Sequence, residues 1–175
     1  LHKEYRRQRQ MCIRDRVAGT RLSVAESVTS SGTIVLEGEN WLSANLSPSV
    51  RLTMQGNRWL GASRLHASLP VLENRGVLEM TTANTDWWWD QGVYVDLDGG
   101  TLLNTSTGSI DVRMGTGHAR VIRGGNIRNE GRIGLEDGVT LTLSVGGDQK
   151  FEQVSGSFGA CLLYTSPSPR DQRGS

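Results

Sequence analysis

Three consecutive indoles, Trp87, Trp88 and Trp89, sit between two carboxylates, Asp86 and Asp90, with the amide of Gln91 next in line. Successive side chains of an extended segment point to opposite faces, so at least one of these rings stays outside any core. Exposed indoles beside hydrogen-bonding groups suit sugars, whose apolar ring faces stack on aromatic planes while their hydroxyls exchange hydrogen bonds. Asp86, Trp87, Trp88, Trp89, Asp90 and Gln91 are therefore the candidate glycan-binding residues. The competing reading is that the indoles cover an apolar gap beside the core.

Other chemistry has less support. Asp86, Asp90, Asp96, Asp98 and Asp111 are enough carboxylates for an acid and base pair or for calcium, but their spacing selects no pair. Asp96 and Asp98 alternate with Val95 and Leu97, which is the pattern of a solvated strand face. Neither a calcium-binding aspartate nonapeptide nor a phosphate-cradling glycine loop occurs. His66 and His118 have no second His or Cys at a ligand spacing. Catalytic, cofactor-binding and metal-ligating residues are left unassigned, and no cofactor is expected. Arg113, Arg120, Arg123, Arg128 and Arg132 form one basic cluster. Interleaved with Asp111, Glu130, Glu136 and Asp137, it reads as a charge-laced surface.

The elements that must position these groups are short strands in a repeat. Apolar starts followed by polar turns recur at Val28, Val50, Leu72, Leu103, Ile127 and Phe151, at spacings of 22, 22, 31, 24 and 24 residues. Val93, Val95 and Leu97 alternate with polar residues, as do Val139, Leu141, Leu143 and Val145, and glycine pairs close such runs. Strands of a few residues returning at this interval suit three-sided coils stacked about 4.8 Å apart. The expected fold is all-β, a parallel β-solenoid (right-handed β-helix) of about six coils. Its inner column would draw on Ile34, Leu36, Leu52, Leu72, Leu78, Val95, Ile110, Ile127, Ile133 and their neighbours. Asn74 and Asn129 each stand two residues before a glycine, and Asn104 resembles them. They are either a stacked amide ladder or simple turn formers. The 31-residue interval exceeds its neighbours, which places an insertion loop near 81–92.

The two ends read differently. Leu1 to Arg16 (LHKEYRRQRQMCIRDR) and Cys161 to Ser175 (CLLYTSPSPRDQRGS) resemble translated sequencing-library adapters. The transposon end ATG-TGT-ATA-AGA-GAC-AG gives Met11 to Asp15 and the start of Arg16, and its reverse complement gives Cys161 to Ser166. Segments 1–16 and 161–175 are accordingly expected to be adapter-derived and disordered, leaving 17–160 as solenoid. The competing reading of the first segment is a basic arm for nucleic acid or a membrane, carried by Arg6, Arg7, Arg9, Arg14 and Arg16. The full chain carries a formal charge of +1, whereas 17–160 holds 11 basic and 15 acidic residues and neither cysteine. That acidic balance argues against nucleic acid as a partner. No run approaches the ~18 apolar residues of a membrane span, so direct membrane insertion is not expected.

The texts Leu72-Glu-Asn-Arg-Gly76-Val-Leu78 and Ile127-Arg-Asn-Glu-Gly131-Arg-Ile133-Gly-Leu135, followed by Phe151-Glu-Gln-Val-Ser-Gly156-Ser-Phe158, resemble the repeats of bacterial surface β-solenoids: autotransporter passengers and filamentous-haemagglutinin-like adhesins. The resemblance covers most of 17–160 and is one of pattern. It implies a non-catalytic fragment of a secreted or surface-exposed protein, an adhesin stalk or scaffold at the extracellular or outer bacterial surface. Glycans or other host or bacterial surface molecules would be its partners, with end-to-end self-association through open strand edges. The alternative is a fragment of a β-helical polysaccharide lyase or glycoside hydrolase.

Overall fold

A computed structural model describes residues 31–57, 59–82, 91–115 and 118–159, together with the backbone of two leading strands at 16–18 and 21–22. In chain order the strands are β1 (Arg16–Ala18), β2 (Arg21–Leu22), β3 (Gly32–Glu37), β4 (Glu39–Leu42), β5 (Val50–Gly56), β6 (Ser63–Ala67), β7 (Val71–Asn74), β8 (Val77–Thr82), β9 (Val93–Asp96), β10 (Thr101–Asn104), β11 (Ser109–Val112), β12 (Arg120–Arg123), β13 (Asn126–Asn129), β14 (Arg132–Leu135), β15 (Leu141–Ser144), β16 (Phe151–Gln153) and β17 (Ser157–Gly159). Among the described residues there is no helix.

Every ladder between these strands is parallel, and the strands fall into three sheets. Wall A stacks β1-β3-β5-β8-β11-β14-β17, wall B stacks β2-β4-β6-β9-β12-β15, and wall C stacks β7-β10-β13-β16. The chain passes from A to B to C and back to A, one coil per circuit. This is the parallel β-solenoid. Wall C begins as a single bridge, Leu46 to Asn74, before it becomes a ladder.

Period-two alternation makes the core. On wall A one inward column runs Ile34, Leu52, Leu78, Ile110, Ile133 and Phe158, and a second runs Leu36, Met54, Met80, Val112 and Leu135. Wall B contributes Leu65, Val95 and Ile122, and wall C contributes Leu72, Leu102 and Ile127. Nearly all are fully buried in one continuous cluster. A single coil has no way to cover such side chains; the coil above and the coil below do it. Two positions differ from the repeat read in the sequence. Val50 belongs to wall A opposite Gly32, and the wall C partner of Leu72 and Ile127 is Leu102, which leaves Leu103 on the outer face. Along wall A the registered steps from Leu52 to Leu78, Ile110, Ile133 and Phe158 are 26, 32, 23 and 25 residues. The longest step contains the expected insertion.

The corner between walls C and A is built from two stacked residue types. Asn74, Asn104 and Asn129 are each 0% exposed, and their side chains form a ladder. Asn74 Nδ2 donates to Asn104 Oδ1 (2.8 Å), Asn104 Nδ2 to Asn129 Oδ1 (2.6 Å), and Asn129 Nδ2 to Gln153 Oε1 (3.0 Å). The same amides close the corner by donating to backbone, Asn74 Nδ2 to Ser109 O and Asn104 Nδ2 to Arg132 O. The ladder stops below Asn74 because its registered neighbour is Leu46, and Asn74 Oδ1 has no hydrogen-bond donor. Just beyond the amides stand Gly76, Gly108, Gly131 and Gly156. A Cβ on any of them would come within 2.4 Å of a backbone carbonyl oxygen of the preceding coil. The Asn-then-Gly texts are thus the sequence trace of one tight corner.

Candidate ligand-binding face

Outward side chains of walls A and B differ in kind. On wall A they form a closed ion-pair network. Arg51 meets Glu79 at 2.7 Å, Arg132 meets Asp111 at 2.6 Å, and Arg113 reaches Glu136 at 2.7 Å and Glu79 at 3.4 Å. The backbone N–H of Met114 and the Arg113 guanidinium hold Glu136 below the ordinary carboxylate range, while the hydrogen bond to Glu136 raises Arg113. With each cation answered by an acid, this wall has little charge left to recruit a ligand. Arg128 likewise lies 3.0 Å from Glu130. Within the basic cluster Arg120 is the departure from a charged surface, because it points into the core.

Wall B carries an aromatic and polar platform. Its register places Glu39, Arg64 and Tyr94 in one outward column and Trp41, His66, Asp96 and Arg123 in the next. The indole of Trp41 stacks on the His66 imidazole, with ring centroids 5.2 Å apart and planes 19° from parallel. His66 Nε2 lies 3.1 Å from Glu39 Oε2, and its Nδ1 lies 4.0 Å from Asp98 Oδ2. Tyr94 sits between two guanidiniums, Arg64 at 4.7 Å and Arg123 at 5.3 Å from its ring centroid. Arg123 is held by Asp96, and that hydrogen bond raises its pKa above the ordinary guanidinium value. Coil stacking about 4.8 Å apart is what makes neighbours of residues 25 to 30 positions apart in the chain.

The platform runs into a corner groove. Where wall B turns toward wall C, Leu69, Pro70, Leu97, Asp98, Gly99 and Gly100 help enclose a cavity of about 390 Å³. Asp98 takes a left-handed φ of 48°, and Gly99 follows at 86°, so the turn lifts the Asp98 carboxylate to the rim facing His66. A flat ring pair, cation–π cradles and carboxylates at one rim can take a pyranose: apolar ring face on Trp41 or Tyr94, hydroxyls to Glu39, Asp98 and the guanidiniums.

Of the residues singled out in the sequence for glycan contact, Asp86, Trp87, Trp88, Trp89 and Asp90 lie outside the described residues. Gln91 is described, and it is 0% exposed, part of the interior. Asp96 and Asp98, read as a solvated strand face, stand on or beside the platform. Trp41, Arg64 and Tyr94 were not singled out, and the only sequence signal for them was outward parity on strands that pair in register. A further indole, Trp59, is 80% exposed on a tight loop between walls A and B, where Asn57 Oδ1 accepts from the backbone N–H groups of Trp59 and Leu60. Among the described residues no group of three or more His, Cys, Asp or Glu is placed to hold a metal ion. Comparison with family models, curated proteins and solved structures finds no match for the chain.

Proposed function

We propose that the chain is a segment of a secreted or surface-exposed bacterial β-solenoid that serves as a non-catalytic adhesive stalk or scaffold, and that the outer face of wall B is where it holds glycans. The observation that supports this reading is the platform itself. Trp41 on His66 and Tyr94 between Arg64 and Arg123 form a rigid aromatic surface on registered strands, rimmed by Glu39 and Asp98. Sites built on strands hold their geometry better than sites on loops. A repeated stack also suits a stalk, because each coil needs only its neighbours and length is added by repetition. Among the described residues nothing pairs beyond β15, β16 and β17, and that rung is shaped to receive a further coil or a second copy.

The test is glycan-array binding by the whole chain and by single variants. Trp41→Ala and Tyr94→Ala are each expected to weaken binding about tenfold, the worth of roughly 1.4 kcal/mol of lost stacking, while Trp59→Ala leaves it unchanged. New reducing ends or unsaturated products from polysaccharide substrates would instead favour the lyase or hydrolase reading. Binding that survives Trp41→Ala and Tyr94→Ala together would remove wall B as the site.

A further inference from the structure

Arg120 occupies a position that packing alone does not call for. It opens β12 and points inward, in register with Val93 on one side and Leu141 on the other. The neighbouring stations are filled by apolar side chains, yet here a guanidinium is 2% exposed. Its partners are all neutral: the carbonyl oxygens of His118 and Arg113, the latter at 3.1 Å, and Thr82 Oγ1 at 3.5 Å. No carboxylate among the described residues pairs with it, and Nε has no acceptor. Burial lowers its pKa below the ordinary guanidinium value. A buried cation left without a counter-charge is among the costlier arrangements in a protein interior.

His118 repeats the deficit. The backbone N–H of Gln91 donates to His118 Nδ1 at 3.5 Å, which puts the ring proton on Nε2. Nε2 is buried and has no acceptor either. Both residues line one cavity of about 300 Å³ at the corner between walls A and B, together with Met114, Gly115, Thr140 and Thr142. Two N–H donors lacking acceptors, one of them cationic, beside a space of this size and flanked by threonine hydroxyls, call for an acceptor-rich anion with two oxygens.

We infer that this corner cavity is a binding site for a carboxylate, with Arg120 supplying the charge and the planar fork and His118 Nε2 a second donor. The carboxylate can come from a free small acid or from an acidic sugar. The site stands apart from the wall B platform, and neither depends on the other.

The test is thermal unfolding of the whole 175-residue chain in about 50 mM acetate or glucuronate, against chloride and glucose at matched ionic strength. Carboxylate is expected to raise Tm by about 5 °C, and Arg120→Leu to abolish the rise. Leu141 shows that an equivalent station accepts leucine, so Arg120→Leu is expected to melt no lower than wild type when carboxylate is absent. An effect of glucuronate without one of acetate identifies an acidic sugar as the source; equal effects identify the carboxylate group alone. Independently of any variant, the Arg120 Nε–H resonance is expected to shift downfield on carboxylate addition. No rise with either carboxylate, an equal rise in Arg120→Leu, or an unmoved Nε–H signal would overturn the assignment.

Discussion

Asn104→Ala is expected to lower the unfolding free energy by roughly 3 kcal/mol, and Asn104→Asp by roughly 4 kcal/mol or more at pH 7. Asn104 is the middle rung of the corner ladder. Its amide accepts from Asn74 Nδ2 and donates to both Asn129 Oδ1 and Arg132 O. Alanine leaves two fully buried acceptors without that donor and opens a small cavity. Aspartate keeps the shape but places a carboxylate against Asn129 Oδ1 and Arg132 O, acceptor against acceptor in a dry corner. Desolvation raises the folded-state pKa of such a carboxyl above its unfolded value of about 3.9. The destabilisation is therefore full where the group would be ionised in the folded state, and it shrinks as pH falls through the raised pKa, because the protonated carboxyl regains a donor. Chemical denaturation of Asn104→Ala, Asn104→Asp and wild type at pH 7 and pH 4 measures both effects. A pH-independent deficit for Asn104→Asp would contradict a buried ladder.

Gly131→Ala is expected to cost roughly 3 kcal/mol, well beyond the effect of an ordinary surface glycine. A Cβ there would lie 2.2 Å from Thr105 O and 2.3 Å from Gly108 O. Both oxygens are backbone, so no side chain can swing aside. To make room the coils must separate locally, which strains the bonds from Gly131 N–H to Asn104 O (3.1 Å) and from Arg132 N–H to Gly108 O (3.0 Å). Gly146→Ala is the matched control. Nothing lies within 4 Å of its added Cβ, and its change is expected to stay within about 0.5 kcal/mol. Equal effects at the two positions would mean that the C-to-A corner is looser than described.

How much of this was legible follows from register. Local alternation and the Asn-Gly texts carry the strand identity, the parallel stack and the corner glycines, because each depends on neighbours in sequence. Whether stacked asparagines bond one another depends on coils 25 to 30 residues apart and was open until their amides were placed. Leu102-Leu103 is an apolar pair, and either member satisfies a period of two; only pairing with Leu72 and Ile127 decides which faces in. Arg120 reads as surface by type, although it shares inward parity with Ile122. The wall B platform escaped notice for the same reason. Trp41, His66 and Tyr94 come from three different coils, and no linear motif joins them. Attention to the triple tryptophan favoured aromatics adjacent in sequence over aromatics adjacent in space.

The most direct measurement is a titration of isotopically labelled chain with glycans that score on the array, following the Trp41 and Trp59 indole N–H signals, the Tyr94 ring and the amides of β4, β6 and β9. Saturable shifts at Trp41, Tyr94 and neighbouring wall B amides, with Trp59 and the wall A amides unmoved, are the expected result. Shifts confined to Trp59 or to wall A, with Trp41 and Tyr94 silent, would contradict wall B as the glycan-holding face.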